Sequence, residues 1–221
     1  MDNKETQAAQ APETALAASP QADISVRSAS LDIWTNMIEK YGAPKTAEFL
    51  SQSSFIPESY RGKAADCLIA LDFSRRVRMA PLTVMQNLNV VKGKPSWSGQ
   101  FCMALIRANP AFTNVRLVYT GTKGTDNRGA YVTALSVSDG SVVDGAEVTI
   151  AMAKAEGWIS NPKWRNMPEL MLAYRAASFF AKANCPEALL GIQTAEEVED
   201  VDSTRASTRA RNLTDALRSG V

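Results

Sequence analysis

The 221-residue chain contains no histidine. That absence removes zinc sites with imidazole ligands, the Ser-His and Cys-His nucleophile pairs, and histidine acid–base catalysis. Cysteine is scarce. Cys67, Cys102 and Cys185 are an odd number at long spacings, each in an apolar, helix-like stretch and none in a Cys-x-x-Cys pair. Structural thiols are therefore expected rather than a disulfide framework. No run approaches the roughly 18 consecutive apolar residues of a membrane helix, and the N-terminus is acidic and polar, unlike a signal peptide. The expectation is a cytoplasmic protein with no membrane partner. There is also no Walker phosphate loop, because Gly93-Lys94 is followed by Pro95 and no glycine stands five residues before Gly93. With no dinucleotide fingerprint either, ATP-driven chemistry and a nucleotide cofactor are unsupported.

What is present is 45 % hydrophobic and 21 % charged, the composition of a globular chain able to bury a core. A formal charge of +1 conceals segregation. Residues 1–60 carry 4 Lys and Arg against 8 Asp and Glu, residues 61–182 carry 16 against 8, and residues 183–221 carry 4 against 7. A middle segment at +8 between acidic ends suits a folded core that meets a polyanion.

Residues 1–28 are Ala-, Gln-, Glu-, Thr- and Pro-rich with few large apolar groups, and read as a flexible arm. A core domain is expected over residues 29–195, followed by a tail at 196–221 that is acidic and then Arg-, Ser- and Thr-rich, mostly disordered or dependent on a partner. Two short helices broken at Gly42 and Pro44 open the core. A helix over Lys63–Met79 stops at Pro81, with Arg75, Arg76 and Arg78 in its last turns, where cations also suit the helix dipole.

Leu88–Trp97 reads as a hairpin with a basic tip at Lys92 and Lys94, and Ser98 as the cap of a helix through Ile106. Val115–Thr120, Ala130–Val137 and Val142–Ile150 alternate or run β-branched, with an Asp139-Gly140 turn, and predict an antiparallel meander. A brief helix should close at Gly157 in the left-handed conformation, and Pro168 should open a longer one to about Asn184. The fold class is α+β, a small antiparallel sheet packed with helices and flanked by terminal arms.

The hairpin cations Lys92 and Lys94 adjoin Trp97, and a single strand is held by that pairing of phosphate-tracking charge with a ring that can stack on a base. The competing reading of Trp97 is core, where large aromatics usually lie. Arg175 and Lys182, seven residues apart, share one helix face and can span successive phosphates or snorkel over apolar neighbours. Lys163, Trp164 and Arg165 precede that helix as a loop, where free N–H groups favour an anion. Arg75, Arg76, Arg128, Lys154 and Lys182 join the candidates by charge placement. Asp139, Asp144 and Glu147 could converge as oxygen ligands for magnesium, which keeps a magnesium-dependent phosphodiesterase or nuclease open. A non-enzymatic adaptor with a basic face is the third class.

Two blocks carry a resemblance. Leu82-Thr83-Val84-Met85-Gln86-Asn87-Leu88-Asn89-Val90-Val91-Lys92-Gly93-Lys94-Pro95-Ser96, with Met103-Ala104-Leu105-Ile106 after it, is one. Lys154-Ala155-Glu156-Gly157-Trp158, then Trp164-Arg165-Asn166-Met167-Pro168-Glu169-Leu170-Met171-Leu172-Ala173-Tyr174-Arg175-Ala176, is the other. Their order and spacing resemble the RecT/Redβ superfamily of phage and prophage single-strand annealing proteins. The resemblance covers roughly residues 61–195. It implies a non-enzymatic, ATP-independent protein without metal or cofactor that binds single-stranded DNA and the duplex annealing intermediate. It further implies a homo-oligomeric ring or filament in the bacterial cytoplasm, with a phage exonuclease or host single-strand binding protein as partner. The implied DNA contacts are Lys92, Lys94, Lys163, Trp164 and Arg175.

Overall fold

The computed structural model describes residues 33–91 and 93–219. The arm at 1–28 and the hairpin cation Lys92 lie outside the described residues. Residues 33–41 form α1, and α2 (Ala43–Ser51) follows after Gly42, whose φ of +81° makes the break. Ala47, Leu50 and Ser51 of α2 face Cys67, Ala70, Leu71 and Ser74 of α3 (Ala64–Val77), buried at three- and four-residue spacing on both helices. Arg78 ends α3 in the left-handed conformation, and Pro81 opens α4 (Pro81–Asn87).

The hairpin follows as β1 (Leu88–Val91) and β2 (Lys94–Trp97), antiparallel in the register Leu88↔Trp97 and Val91↔Lys94. Gly93 turns it at φ +77°. Then come α5 (Gly99–Ala108) and a meander of β3 (Phe112–Thr120), β4 (Gly129–Ser136) and β5 (Val142–Asp144). The third predicted strand is divided. Its far end is a separate strand, β6 (Val148–Thr149), that also pairs with β4, and between them Gly145 passes so close to Phe180 that an added Cβ would lie 3.0 Å from the ring.

The chain continues through α6 (Ile150–Ala155), a 3-10 turn at Trp158–Ser160, α7 (Lys163–Asn166), α8 (Pro168–Asn184) and α9 (Pro186–Leu189). Strand β7 (Gln193–Thr194) then returns to pair parallel with β2, giving a second sheet in the order β1-β2-β7. The architecture is α+β, with α8 central: it packs on α5 on one side and on β4 on the other. At the α5 contact Gly99 is required, because a Cβ there would lie 2.5 Å from the Tyr174 ring. Among the described residues no helix is long and apolar enough to cross a membrane.

Two expectations need correction. Ser98 sits at the start of α5 without capping it. Its hydroxyl donates instead to Asn87 Oδ1 at 2.7 Å, tying the end of the hairpin to its beginning. The stretch from Glu196, expected as a tail outside the core, is α10 (Ala195–Ser219), and its first turns bury Glu197 and Asp200. Alternating acidic and small polar residues gave it no apolar stripe to betray this packing. The helix is held by ion pairs instead.

Candidate nucleic-acid interface

The hairpin is anchored at its base and exposed at its tip. Trp97 is fully buried, its indole N–H donates to the Leu189 carbonyl at 3.0 Å, and its ring lies 4.9 Å from Phe101 and 6.1 Å from Phe73. The expected stacking of Trp97 on a base is therefore not available in this structure. Four-residue strands cannot support themselves in water, so the hairpin needs such a plug. By strand alternation Leu88, Val90, Pro95 and Trp97 share one face, while Asn89, Val91, Lys94 and Ser96 share the other. Lys94 is exposed and has no ion-pair partner among the described residues.

The second cation-bearing wall is made by α7 and α8, and α10 covers it. Arg175 is 7 % exposed. Its guanidinium donates to Asp200, lies 3.5 Å from Glu197 Oε1, and stacks 4.1 Å from the Trp158 ring centre. Asp200 has no exposed surface, and it also accepts from Asn161 Nδ2 at 2.9 Å and from the Trp164 indole N–H at 3.1 Å. Glu197 accepts from Lys182 and from the Ser178 hydroxyl, both at 2.7 Å. Lys163 donates to Glu199 at 2.7 Å. Glu197, Asp200 and Thr204 thus form one row of α10 at i, i+3, i+7 against α8 and the 3-10 turn, where Thr204 donates to the Gly157 carbonyl at 3.2 Å.

The expectations for this wall change accordingly. Trp164 is buried rather than free to stack, packed 5.6 Å from Trp158. Lys163-Trp164-Arg165 is a short helix, and the Lys163 N–H is already taken by Asn161 Oδ1 at 3.1 Å. Arg175 and Lys182 do share a face, but that face meets α10.

The electrostatics follow from the burial. Desolvation would raise the Glu197 carboxyl, yet Lys182, Ser178 and Arg175 outweigh it and hold it below the ordinary carboxylate value. At Asp200 desolvation wins and raises the carboxyl against the pull of Trp164, Arg175 and Asn161. The hydrogen bond to Glu199 raises the Lys163 ammonium. Burial pushes the Cys102 thiol up to about 12 and the Cys185 thiol up to about 11, which makes both poor nucleophiles, and all three cysteines are free and buried.

A cleft of about 310 Å³ lies between the hairpin and α10. It is lined by Val91 of the hairpin, Asn161 before α7, and Glu199, Asp202, Ser203 and Ala206 of α10. Those four positions of α10 run i, i+3, i+4, i+7, a second row of the same helix turned to the hairpin. Val91 pairs with Lys94 across the hairpin, and Lys163 bonds Glu199 on the cleft wall.

The remaining candidates lie elsewhere. Arg128 makes a two-pronged pair with Glu169, at 3.0 and 2.6 Å, donates to the Thr120 carbonyl at 3.1 Å, and sits 4.8 Å over the Tyr119 ring. It clamps the end of β3 to the start of α8, so the donors of this candidate chosen by charge placement are committed within the fold. Lys154 pairs with Asp126 at 2.5 Å, and Arg76 with Asp72 one turn earlier at 2.8 Å, both on the surface. Arg75 is exposed beside it.

Asp139, Asp144 and Glu147 do not gather. Asp139 closes its turn on Ser141, Asp144 stands opposite Thr133, and Glu147 meets Thr120. Among the described residues no three acidic or cysteine side chains come together to hold a metal. The acidic partners on α10, with Asn161 and Trp158, are the residues that sequence reasoning missed. The signal was the i, i+3 spacing of Glu197 and Asp200, which resembles a solvated charge run. The chain matches no protein-family model, and it has no significant match among curated proteins or solved structures.

Proposed function

We propose that the chain binds single-stranded DNA along its sugar-phosphate backbone and anneals complementary strands without ATP, acting as a homo-oligomeric ring or filament in phage recombination. The observation that carries the reading is that the hairpin bearing Lys94 and the Asn161 segment leading into Lys163 border one cleft, with Lys163 bonded to Glu199 on its wall. The surplus of +8 over residues 61–182 and the two blocks resembling RecT-like proteins support it.

Annealing requires no bond chemistry from the protein. Phosphates must be neutralised so that two anionic strands can approach, and backbone contacts do this without sequence preference. One subunit offers few contacts, and an oligomer multiplies them through effective concentration. The test is annealing of complementary oligonucleotides with no nucleotide present, together with binding at rising salt. Acceleration over the protein-free rate is expected, with affinity falling as salt rises. An unchanged rate, or affinity indifferent to salt, would refute the proposal.

A further inference from the structure

We propose that the first turns of α10 are an internal stand-in for a nucleic-acid backbone, and that the donors now holding Asp200 form a phosphodiester site that opens when α10 withdraws. The inference rests on the DNA-binding reading above. Asp200 is held by the Arg175 guanidinium on α8 and by the Trp164 indole N–H and the Asn161 amide from the segment before it, three donors aimed at one buried carboxylate. That donor set is indifferent to whether the oxygens belong to carbon or phosphorus, since planar guanidinium groups pair with either.

Lys163 and Lys182 flank it, each occupied by a carboxylate of the same helix, Glu199 and Glu197. Carboxylates at 197, 199 and 200 therefore stand along one helix at the cations that a strand's successive phosphates would meet. The other face of α10 closes the cleft toward the hairpin. Withdrawal would also uncover the paired rings of Trp158 and Trp164, 5.6 Å apart, with Arg175 against one of them. Aromatic rings beside phosphate-binding cations are what a single strand uses. In this arrangement α10 and DNA compete for one surface. The apparent affinity is lowered by the fraction of molecules in which α10 is seated.

A cross-link decides it. A Cβ built on Gly157 lies 3.8 Å from Thr204 Cβ, the separation found in disulfides. Full-length protein carrying Gly157→Cys and Thr204→Cys is assayed with labelled oligo-dT, reduced and oxidised. Locking α10 should weaken binding by about tenfold or more, and reduction should restore it. Glu199→Gln, which frees Lys163 without a cysteine in the left-handed position of Gly157, should tighten binding by about threefold. Equal affinity of oxidised and reduced protein, or no gain from Glu199→Gln, would overturn the inference and leave the DNA-binding reading in place. Absence of oligo-dT binding by the unmodified chain would remove that reading and the inference together.

Discussion

Lys94 on the hairpin and Arg175 on α8 carry the same charge, yet one stands in solvent without an ion-pair partner among the described residues while the other is almost enclosed between two carboxylates and an indole ring. Their surroundings give them different work. An exposed ammonium costs nothing to keep hydrated and is ready for a phosphate. A buried guanidinium is tolerable only while its counter-charges stay beside it, because desolvation of an unpaired ion outweighs most favourable contacts. Counting cations along a chain therefore measures how much positive charge the fold must place, and the partners decide how much of it is free for a ligand.

The strongest way to break this contrast is to remove Arg175. Arg175→Met leaves Asp200 buried with only the Asn161 amide and Trp164 N–H, and the expected loss of stability is about 3–5 kcal/mol. Urea unfolding reads it directly. Combining it with Asp200→Asn should recover much of the loss, since the orphaned charge goes with its partner. A loss below about 1 kcal/mol would mean that the pair is already wet and exchangeable.

At the hairpin the same kind of deletion should be silent in unfolding and visible in binding. Lys94→Ala is expected to change stability by no more than about 0.5 kcal/mol, because the side chain has no partner among the described residues. If it tracks phosphate, the variant weakens binding to all sequences about equally and lowers the salt slope by about 1. Strong dependence on base sequence, or an unfolding loss comparable to that of Arg175→Met, would erase the distinction between the two walls.

The regular parts of this fold were legible because their signals are local. Pro81 and Pro168 start helices, Gly93 and Gly157 adopt positive φ where turns require it, and β-branched alternation marks β3 and β4. The site was legible only in part. The positions of Lys163, Arg175 and Lys182 around one region could be anticipated, but their occupation could not, because it depends on a helix that returns through the parallel strand β7. Parallel pairing joins residues distant in sequence, here Trp97 with Thr194, and no local pattern announces it. The core reading of Trp97 is the one the structure bears out, whereas the burial of Trp164 was missed for a related reason. Each finds its hydrogen-bond partner far along the chain, at Leu189 and Asp200, and for Trp164 proximity to cations in sequence suggested exposure that long-range packing removes.

The smallest expected effect separates two neighbours on α10. Glu196 Oε2 is buried with no hydrogen-bond partner among the described residues, and burial raises its carboxyl despite help from the Gly99 N–H and Lys163. Glu197 is held below the ordinary value by Lys182, Ser178 and Arg175 in spite of its burial. Their contributions to stability therefore run in opposite directions with pH. For Glu196 the folded protein takes up the proton more readily than the unfolded chain. Ionisation weakens the fold as pH rises from the ordinary carboxylate value through the raised one, and the penalty is complete above it. Glu196→Gln should accordingly gain up to about 1 kcal/mol at neutral pH, and the gain should vanish in acid. For Glu197 the contribution is present above the ordinary carboxylate value and is lost as pH falls through the lowered one, so Glu197→Gln should lose stability at neutral pH and converge on the parent in acid. Urea unfolding of both variants across that range checks the pair. Parallel pH profiles would show that α10 meets the wall as one uniform acidic face rather than through the specific partners of Glu197.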